Sequence, residues 1–449
     1  MDPRSELLPY LLLWAGVLIY LVVRSWTARG QGVGIVLAYC FQLWLLYWVG
    51  ALIHALPWAF LPDAEFVVAG FRQATFALLA FAAGSTLIGP KVAARFTSRG
   101  RSGGSTPSPL LPVAYMIAGV VSFTVLAPLL GRLPSFAALT SLGAQLILVG
   151  LCLACWRAWI AGSRRDLVKW LAASLALPAT TVAAMGFLGY GAIALATLLI
   201  FVGHFFRPRW ALAAFFAVAS YLGLSLYVNY MTGRGAIRAS VWGEESYSNR
   251  IDTILGVFEN AEWFDPANPE HLGAIDGRLN QNALVGAATA QLAVTQDFAR
   301  GETIWMGILA MIPRIIWPDK PMRAGSGDLV TRFTGIEFAE GTSVGIGPVM
   351  ELYANFGSTG VWVGFLVIGA IVGALDRLAG VHLRSGNWHG FAVYFLVAIA
   401  FLNVTGSFVE VAAGSMAAIA VGHLAKWALN RYQSKGRRAP ALASPRFEG

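Results

Sequence analysis

The sequence predicts an all-α protein that crosses a membrane about eleven times and carries one large helical loop between its eighth and ninth spans. Hydrophobic residues make up 57% of the 449 residues, whereas charged residues make up only 12%. Soluble domains usually contain about 25% charged residues. Apolar stretches of roughly membrane-spanning length recur along the chain. Sixteen Trp and thirteen Tyr suit aromatic belts at the two membrane surfaces.

The predicted spans are separated mostly by short connections. The first apolar stretch follows a short N-terminus that lacks a convincing basic region and a small-residue cleavage site. It is therefore interpreted as a retained span and not as a cleaved signal peptide. The eleven spans are predicted at residues 7–23, 34–53, 66–88, 110–130, 136–156, 167–186, 188–206, 210–230, 348–374, 390–408 and 410–428.

The positions of Lys and Arg predict the orientation in the membrane. With the N-terminus outside, the inner connections and the C-terminal tail hold 20 of the 32 basic residues, and the short outer connections hold only Arg4 and Arg132. The large loop is then periplasmic if the membrane is a bacterial inner membrane. The predicted organisation is eight spans in 1–230, the large loop in 231–347, three spans in 348–430 and a disordered, basic cytoplasmic tail in 431–449.

Two apolar segments stand out in the large loop. Residues 283–299 have apolar side chains at helical spacing and are predicted to form an amphipathic helix. Residues 303–316 are apolar but too few to span a bilayer easily, which predicts a re-entrant or interfacial helix. Pro313 and the prolines that follow it are expected to end this second helix.

Charged side chains inside spans are costly, so each one is a candidate for a functional role. Arg72 lies in the third predicted span, Glu351 in the ninth, and Glu410 at the junction of the last two. In the predicted orientation all three are near the membrane surface that carries the large loop. The alternative is that they reach the membrane surface without a function, or that Arg72 and Glu351 form an ion pair that only holds helices together.

Other residues within spans are predicted to have packing roles. Cys152 and Cys155 form a CxxC motif without a βαβ pattern around it, so they are interpreted as buried thiols, as is Cys40. Gly369 and Gly373 form a GxxxG motif, which is typical of closely packed helices in membranes.

The densest basic motif lies in the large loop, where Arg314, Lys320 and Arg323 are carried by a proline-rich segment that also contains Trp317. Arginine forks bind phosphate oxygens in pairs, and lysine adds a point charge. Such a segment beside a membrane-surface helix suits a lipid-linked pyrophosphate. The alternative is a basic anchor for anionic lipid headgroups.

A second motif opens the ninth span with Glu351, Tyr353 and Asn355. Glu351 and Asn355 are four residues apart, so they share one face of a helix. A carboxylate beside a buried amide can act as a base or hold a sugar hydroxyl. The alternative is that these residues serve helix packing.

Together, the sequence PRIIWPDKP and the sequence ELYANFGSTG about thirty residues later resemble the Wzy-type polysaccharide polymerases, which polymerise O-antigen and exopolysaccharide repeat units. The resemblance covers residues 278–374. It implies a bacterial inner-membrane enzyme that joins oligosaccharide repeat units carried on undecaprenyl pyrophosphate. The implied reaction is a metal-independent, inverting glycosyl transfer without a cofactor. Membrane lipids are implied partners, and a chain-length regulator protein is a further one.

The same resemblance implies roles for individual residues. Arg314 and Lys320 match the basic positions that stabilise the leaving pyrophosphate, and Glu351 is the expected base. The expected substrate-binding residues of these motifs are Arg278, Trp317, Arg323, Tyr353 and Asn355, and Arg72 is added to them as a charged residue within a span.

The sequence gives less support to nucleic-acid binding and to other kinds of enzyme. The net charge of +9 does not indicate nucleic-acid binding, because no recognition module is present and the basic residues are spread between apolar segments. No HExxH or P-loop pattern occurs. Two alternatives stay open. An O-antigen ligase-like transferase differs from a polymerase only in its acceptor, and a transporter or flippase of the same lipid-linked oligosaccharides would place polar residues near the membrane midplane.

Overall fold

The computed structural model contains α-helices, three π-helical turns and no strand in the part of the chain that it describes. The predicted all-α class is therefore confirmed for these residues. The described residues are 3–27, 31–59, 61–97, 108–130, 134–206, 210–243, 245–259, 261–314, 316–317, 319–321, 325–338 and 344–436.

The first half of the chain forms long apolar helices. The π-helical turns Trp44–Trp48, Gly84–Ile88 and Ser122–Leu126 join α2 to α3, α4 to α5 and α6 to α7. A π turn inserts one residue into a helix without ending it, so each pair forms one continuous rod. The helices are α1 Pro3–Thr27, α2 Ile35–Leu43, α3 Val49–Ala55, α4 Ala64–Ala83, α5 Gly89–Thr97, α6 Leu111–Val121, α7 Ala127–Leu130, α8 Pro134–Ala144, α9 Leu146–Ile160, α10 Arg164–Ser174, α11 Ala176–Met185, α12 Leu188–Phe206 and α13 Trp210–Trp242.

The second half begins with short helices and ends with long ones. The predicted disordered tail is helical as far as Gly436, and the rest of it lies outside the described residues. The helices are α14 Tyr247–Glu259, α15 Pro269–Leu279, α16 Asn282–Thr295, α17 Glu302–Ala310, α18 Ser326–Thr334, α19 Gly347–Arg384, α20 Trp388–Phe401 and α21 Phe408–Gly436.

Nine helical segments in the described part of the chain are long and apolar enough to cross a membrane. They occur where the sequence predicts the first seven spans, the ninth and the eleventh. α13 covers the eighth predicted span. α20 occupies the tenth, but its fourteen residues make a helix of about 21 Å, which is shorter than a hydrocarbon core of about 30 Å. The chain is a polytopic helical membrane protein.

Close backbone contacts hold the centre of the bundle together. A Cβ at Gly373 would lie 2.6 Å from the Ser85 carbonyl oxygen, and a Cβ at Gly369 would collide with the Phe81 carbonyl group. The GxxxG motif therefore packs α19 against α4 and the π turn after it, as predicted. The three cysteines are buried and unpaired, which confirms their predicted packing role.

The large loop folds back into the bundle at the joint between α15 and α16. The Gln281 amide donates to the Leu46 carbonyl over 2.9 Å, and the Asn282 side chain donates to the Tyr47 carbonyl over 2.7 Å. Both acceptors lie in the rod formed by α2 and α3. α16 then runs along α4, with the backbone of Gly286 against that of Phe66. The helix predicted at 283–299 therefore exists, but it is an inserted and largely buried helix.

α17 replaces the predicted apolar helix at 303–316 and is shorter than expected. It packs against the start of α21, where a Cβ at Gly307 would lie 3.2 Å from the Phe408 Cβ. Its other face exposes Trp305 and Ile308. Nine residues make a helix of about 13 Å, which cannot cross a membrane.

Candidate functional site

α19 is broken at the second sequence motif. Phe356 has φ −142° and ψ 21°, and Gly357 has φ 62° and ψ −155°. The latter conformation is open almost only to glycine. The break leaves a short helix at 347–355 before the long helix at 358–384. The break also explains why a glycine stands at position 357 of the second sequence motif, because a side chain there would strain the backbone.

Asn355 ends the short helix, and its amide is fully used by the protein. Its Oδ1 accepts from the Gly301 amide over 2.8 Å. Its Nδ2 donates to Thr303 Oγ1 and to the Glu351 carbonyl, each over 2.7 Å. Asn355 is buried, and these bonds hold the N-terminal end of α17 against the break in α19. Asn355, which the sequence predicts to bind substrate, therefore has a structural role in this conformation, because its amide group bonds only to protein groups.

Glu351 faces the interior and has no exposed surface. Its Oε2 accepts from the Phe408 amide over 2.7 Å, which ties the short helix to the first residue of α21. Its Oε1 has no hydrogen-bond partner among the described residues. Thr303 lies beside the same carboxyl group. As placed, the carboxylate organises the joint between three helices, and a substrate would have to part these helices to reach it.

A second carboxylate, that of Glu410, lies close to Glu351 and is exposed. It is in the first turn of α21, where the Ser407 hydroxyl accepts from the Glu410 amide. Its Oε1 accepts from the Ser326 hydroxyl over 3.1 Å. This bond joins α21 to the start of α18. The sequence predicts Glu351 and Glu410 near the same membrane surface, and the structure brings them together.

Arg72 is exposed on α4 and lies near Tyr353. The Tyr353 ring packs against Phe298, with 6.4 Å between the ring centroids. Among the described residues, Arg72 forms no ion pair with Glu351. The alternative of a purely structural Arg72–Glu351 pair is therefore wrong for this conformation, because the Glu351 carboxylate turns to the Phe408 amide.

The described part of the basic motif lies at the C-terminal end of α17. The Lys320 ammonium donates to three carbonyl groups there, those of Leu309, Ala310 and Ile312, over 3.4, 3.4 and 3.0 Å. Carbonyl groups at a helix end are without helical partners and attract a cation. Lys320 thus caps α17, a role that the sequence does not predict.

Arg314 is half-buried and lies next to Lys320. Partial burial lowers the pKa of Lys320, and the charge of Arg314 lowers that pKa further. Two cations held together in this way would be stabilised by an anion between them. Trp317 is 38% exposed beside this pair. Arg323, the third basic residue of the motif, lies outside the described residues.

Arg278 is placed with a different group of residues. It is exposed at the end of α15, and its electrostatic neighbours on α13 are Arg234 and Tyr227. The neighbour of Lys320 is Arg314 instead. In the chain, α16, which is about 21 Å long, lies between Arg278 and the segment that carries Arg314 and Lys320. Arg314 and Lys320 are thus brought together by the fold, and Arg278 joins a separate basic group with Arg234.

Two polar residues near Glu410 were missed by the sequence predictions. Asn403 is exposed in the connection between α20 and α21, and Ser326 begins α18. The signal that would have found Asn403 is the group of polar residues Asn403, Thr405 and Ser407 in a short connection between two apolar helices. No comparable signal marks Ser326, because only the fold brings it to Glu410.

The site thus presents an exposed carboxylate and amide at the start of α21, which packs against α17, and a basic pair at the C-terminal end of α17. Carboxylate and amide groups bind hydroxyls, and paired cations bind phosphate oxygens. The arrangement therefore suits a substrate that has both hydroxyl groups and a diphosphate. No family model, curated protein or solved structure matches the chain.

Proposed function

We propose that the chain is a bacterial inner-membrane polysaccharide polymerase, a glycosyltransferase that joins oligosaccharide repeat units carried on undecaprenyl pyrophosphate. The observation that carries the proposal is the pairing of Arg314 with Lys320 at the end of α17. A few residues later in the chain, Ser326 donates a hydrogen bond to Glu410. One connected region therefore offers cations for a diphosphate and a carboxylate for a hydroxyl. The resemblance of the two motifs to Wzy-type polymerases supports the same function.

The basic pair acts on the leaving group. When the bond between the anomeric carbon and the diphosphate oxygen breaks, negative charge develops on the diphosphate. Fixed cations stabilise that charge more in the transition state than in the ground state, which lowers the barrier. Arg314 can hold two phosphate oxygens at once, and Lys320 adds a second charge while it also caps α17.

The lipid part of the substrate lies in the outer leaflet in this proposal. Trp305, Ile308 and Ile316 are exposed apolar residues of α17 and the turn after it. Large exposed apolar residues rimmed by basic ones are typical of a membrane-surface segment. The polyprenyl chain would remain in the membrane beside them while the diphosphate reaches Arg314. A chain-length regulator protein would act on this side of the membrane.

Deletion of the gene tests the function. We expect the surface polysaccharide to lose its long chains and single repeat units to accumulate on the lipid carrier at the periplasmic face. The measurement is a glycan gel together with mass spectrometry of the lipid-linked pool, with the restored gene as the control. Long chains that stay on the lipid carrier would indicate a ligase, and repeat units trapped at the cytoplasmic face would indicate a flippase.

Cysteine labelling tests the orientation. Ala267 is exposed in the large loop, and Ala161 is exposed in the connection between α9 and α10. The three native cysteines are buried and give little background. We expect a membrane-impermeant maleimide to label Ala267→Cys in intact spheroplasts and Ala161→Cys only after permeabilisation. The reverse pattern would place the loop in the cytoplasm and exclude a periplasmic polymerase.

A further inference from the structure

The functional groups that the sequence places in the second motif occur twice in this region, once buried and once exposed. Glu351 and Asn355 supply a carboxylate and an amide, but Glu351 has no exposed surface and every hydrogen-bonding group of the Asn355 side chain has a protein partner. Glu410 and Asn403 supply the same two groups at the surface. A substrate at the protein surface can reach only the second pair without a change of conformation.

Gly406 lets the exposed pair converge. A Cβ at this position would lie 2.7 Å from Glu410 Oε2 and would collide with the Asn403 amide. The carboxylate and the amide therefore approach the same small residue from two sides. The backbone supports this arrangement, because the Gly406 amide donates to the Asn403 carbonyl over 3.2 Å. A larger residue at 406 would separate the two groups.

The other carboxylate oxygen of Glu410 is oriented by the large loop. Ser326 donates to Oε1 over 3.1 Å, and Ser326 begins the helix that follows the basic segment with Arg314 and Lys320. Glu351 orients the same turn from the inside, since its Oε2 holds the Phe408 amide two residues before Glu410. The turn that presents Glu410 is therefore fixed from both sides.

We propose that Glu410, Asn403 and Ser326 form a binding subsite for a hydroxyl-bearing sugar, that of the acceptor, and that Glu410 is the group that takes its proton. This inference rests on the proposed function. Carboxylate, amide and hydroxyl groups together donate and accept the hydrogen bonds that sugar hydroxyls need. Glu351 becomes a positioning residue, because it acts on the reaction only through the turn that it holds.

The proposed step is balanced within the site. The acceptor hydroxyl oxygen forms a bond to the anomeric carbon of the donor sugar as its proton passes to the Glu410 carboxylate. The bond from that carbon to the diphosphate oxygen breaks, and its electron pair stays on the diphosphate beside Arg314 and Lys320. Glu410 then releases the proton to water, which its exposure allows.

The test compares kcat and KM for polymerisation in membranes from a strain that lacks the chromosomal gene, with its own lipid-linked repeat units as the substrate. We expect Glu410→Gln to lower kcat by about 100-fold or more with little change in KM, since a positioned base contributes about 10² to 10⁴ in rate. Glu410→Asp keeps a carboxylate and should restore part of that loss. Asn403→Ala should mainly raise KM.

Two matched variants make the result decisive. Glu337→Gln removes an exposed acid of the same loop and should leave both constants unchanged. Glu351→Gln keeps an oxygen that accepts from the Phe408 amide and should retain kcat within a few-fold. A loss in Glu351→Gln equal to that in Glu410→Gln, at equal amounts of membrane protein, would move the base to Glu351 and overturn the inference.

The failure of this inference differs from failure of the proposed function. If the strain without the gene still polymerises, both are wrong. If that strain stops polymerising and Glu410→Gln restores the full rate, only the subsite is wrong and the polymerase function stands. Should Glu410→Gln fail to accumulate in the membrane, the KM of Asn403→Ala decides, because an unchanged KM would contradict a sugar subsite at that amide.

Discussion

Replacement of Arg314 by alanine is expected to lower the rate of polymerisation by about 10² to 10³-fold, which is the usual loss when one fixed donor to a developing charge is removed. Arg314 is half-buried and lies beside Lys320. Among the described residues, its guanidinium forms no hydrogen bond or ion pair with another side chain. Its removal should therefore leave the fold intact. The measurement is the conversion of lipid-linked repeat units to polymer in isolated membranes.

The controls separate charge from geometry. Arg314→Lys keeps the charge but loses the planar fork, so it should recover only part of the rate. Arg332→Ala removes another exposed loop arginine, whose ion pair with Glu302 is at the surface and is worth at most about 1 kcal/mol. It should polymerise normally. A normal chain-length distribution from Arg314→Ala would remove Arg314 from the leaving-group role.

Lys320 is a less clean test of the same idea. Its ammonium caps α17 as well as adding positive charge beside Arg314. Substitution would therefore loosen the end of α17 and the basic segment after it, and a loss of activity would have two causes. Arg314 carries the prediction because its charge can be removed without removing a helix cap.

Replacement of Gly286 by valine is expected to destabilise the protein by about 3 kcal/mol or more, at or above the upper end of the usual cost of over-packing. A Cβ at Gly286 would collide with the backbone carbonyl of Phe66, and backbone cannot turn aside as a flexible side chain can. α16 would have to move away from α4. Because α16 leads to the loop that Asn355 holds, activity should fall with stability.

The measurement is the thermal midpoint of the purified protein in detergent, with its level in the membrane. Gly256→Val in α14 is the matched control, since nothing lies within 4 Å of the Cβ that it adds. That variant should keep its stability or gain a few tenths of a kcal/mol (~0.3), because valine has a slightly higher helix propensity than glycine and the added side chain meets open space. Equal midpoints for the two variants would mean that α16 does not pack in the bundle.

Much of the fold could be predicted because its signal is local in the chain. A span needs only enough consecutive apolar residues, and α1 or α12 satisfies this condition without help from other segments. The fate of residues 282–295 could not be predicted in the same way. Small and apolar residues at helical spacing suit a surface helix and an inserted helix equally, and only the glycines of α4 and α16 leave room for insertion.

The candidate site shows the same division. Sequence alone predicts that Glu351 and Glu410 lie toward one membrane surface, and it determined that Arg314 and Lys320 follow a short apolar helix, because hydropathy and spacing act within one segment. Tertiary structure decided which carboxylate is buried, that Lys320 caps α17, and that Arg278 joins Arg234. These outcomes depend on which donors and acceptors from distant segments meet, and a buried polar group takes whichever partner the packing brings to it.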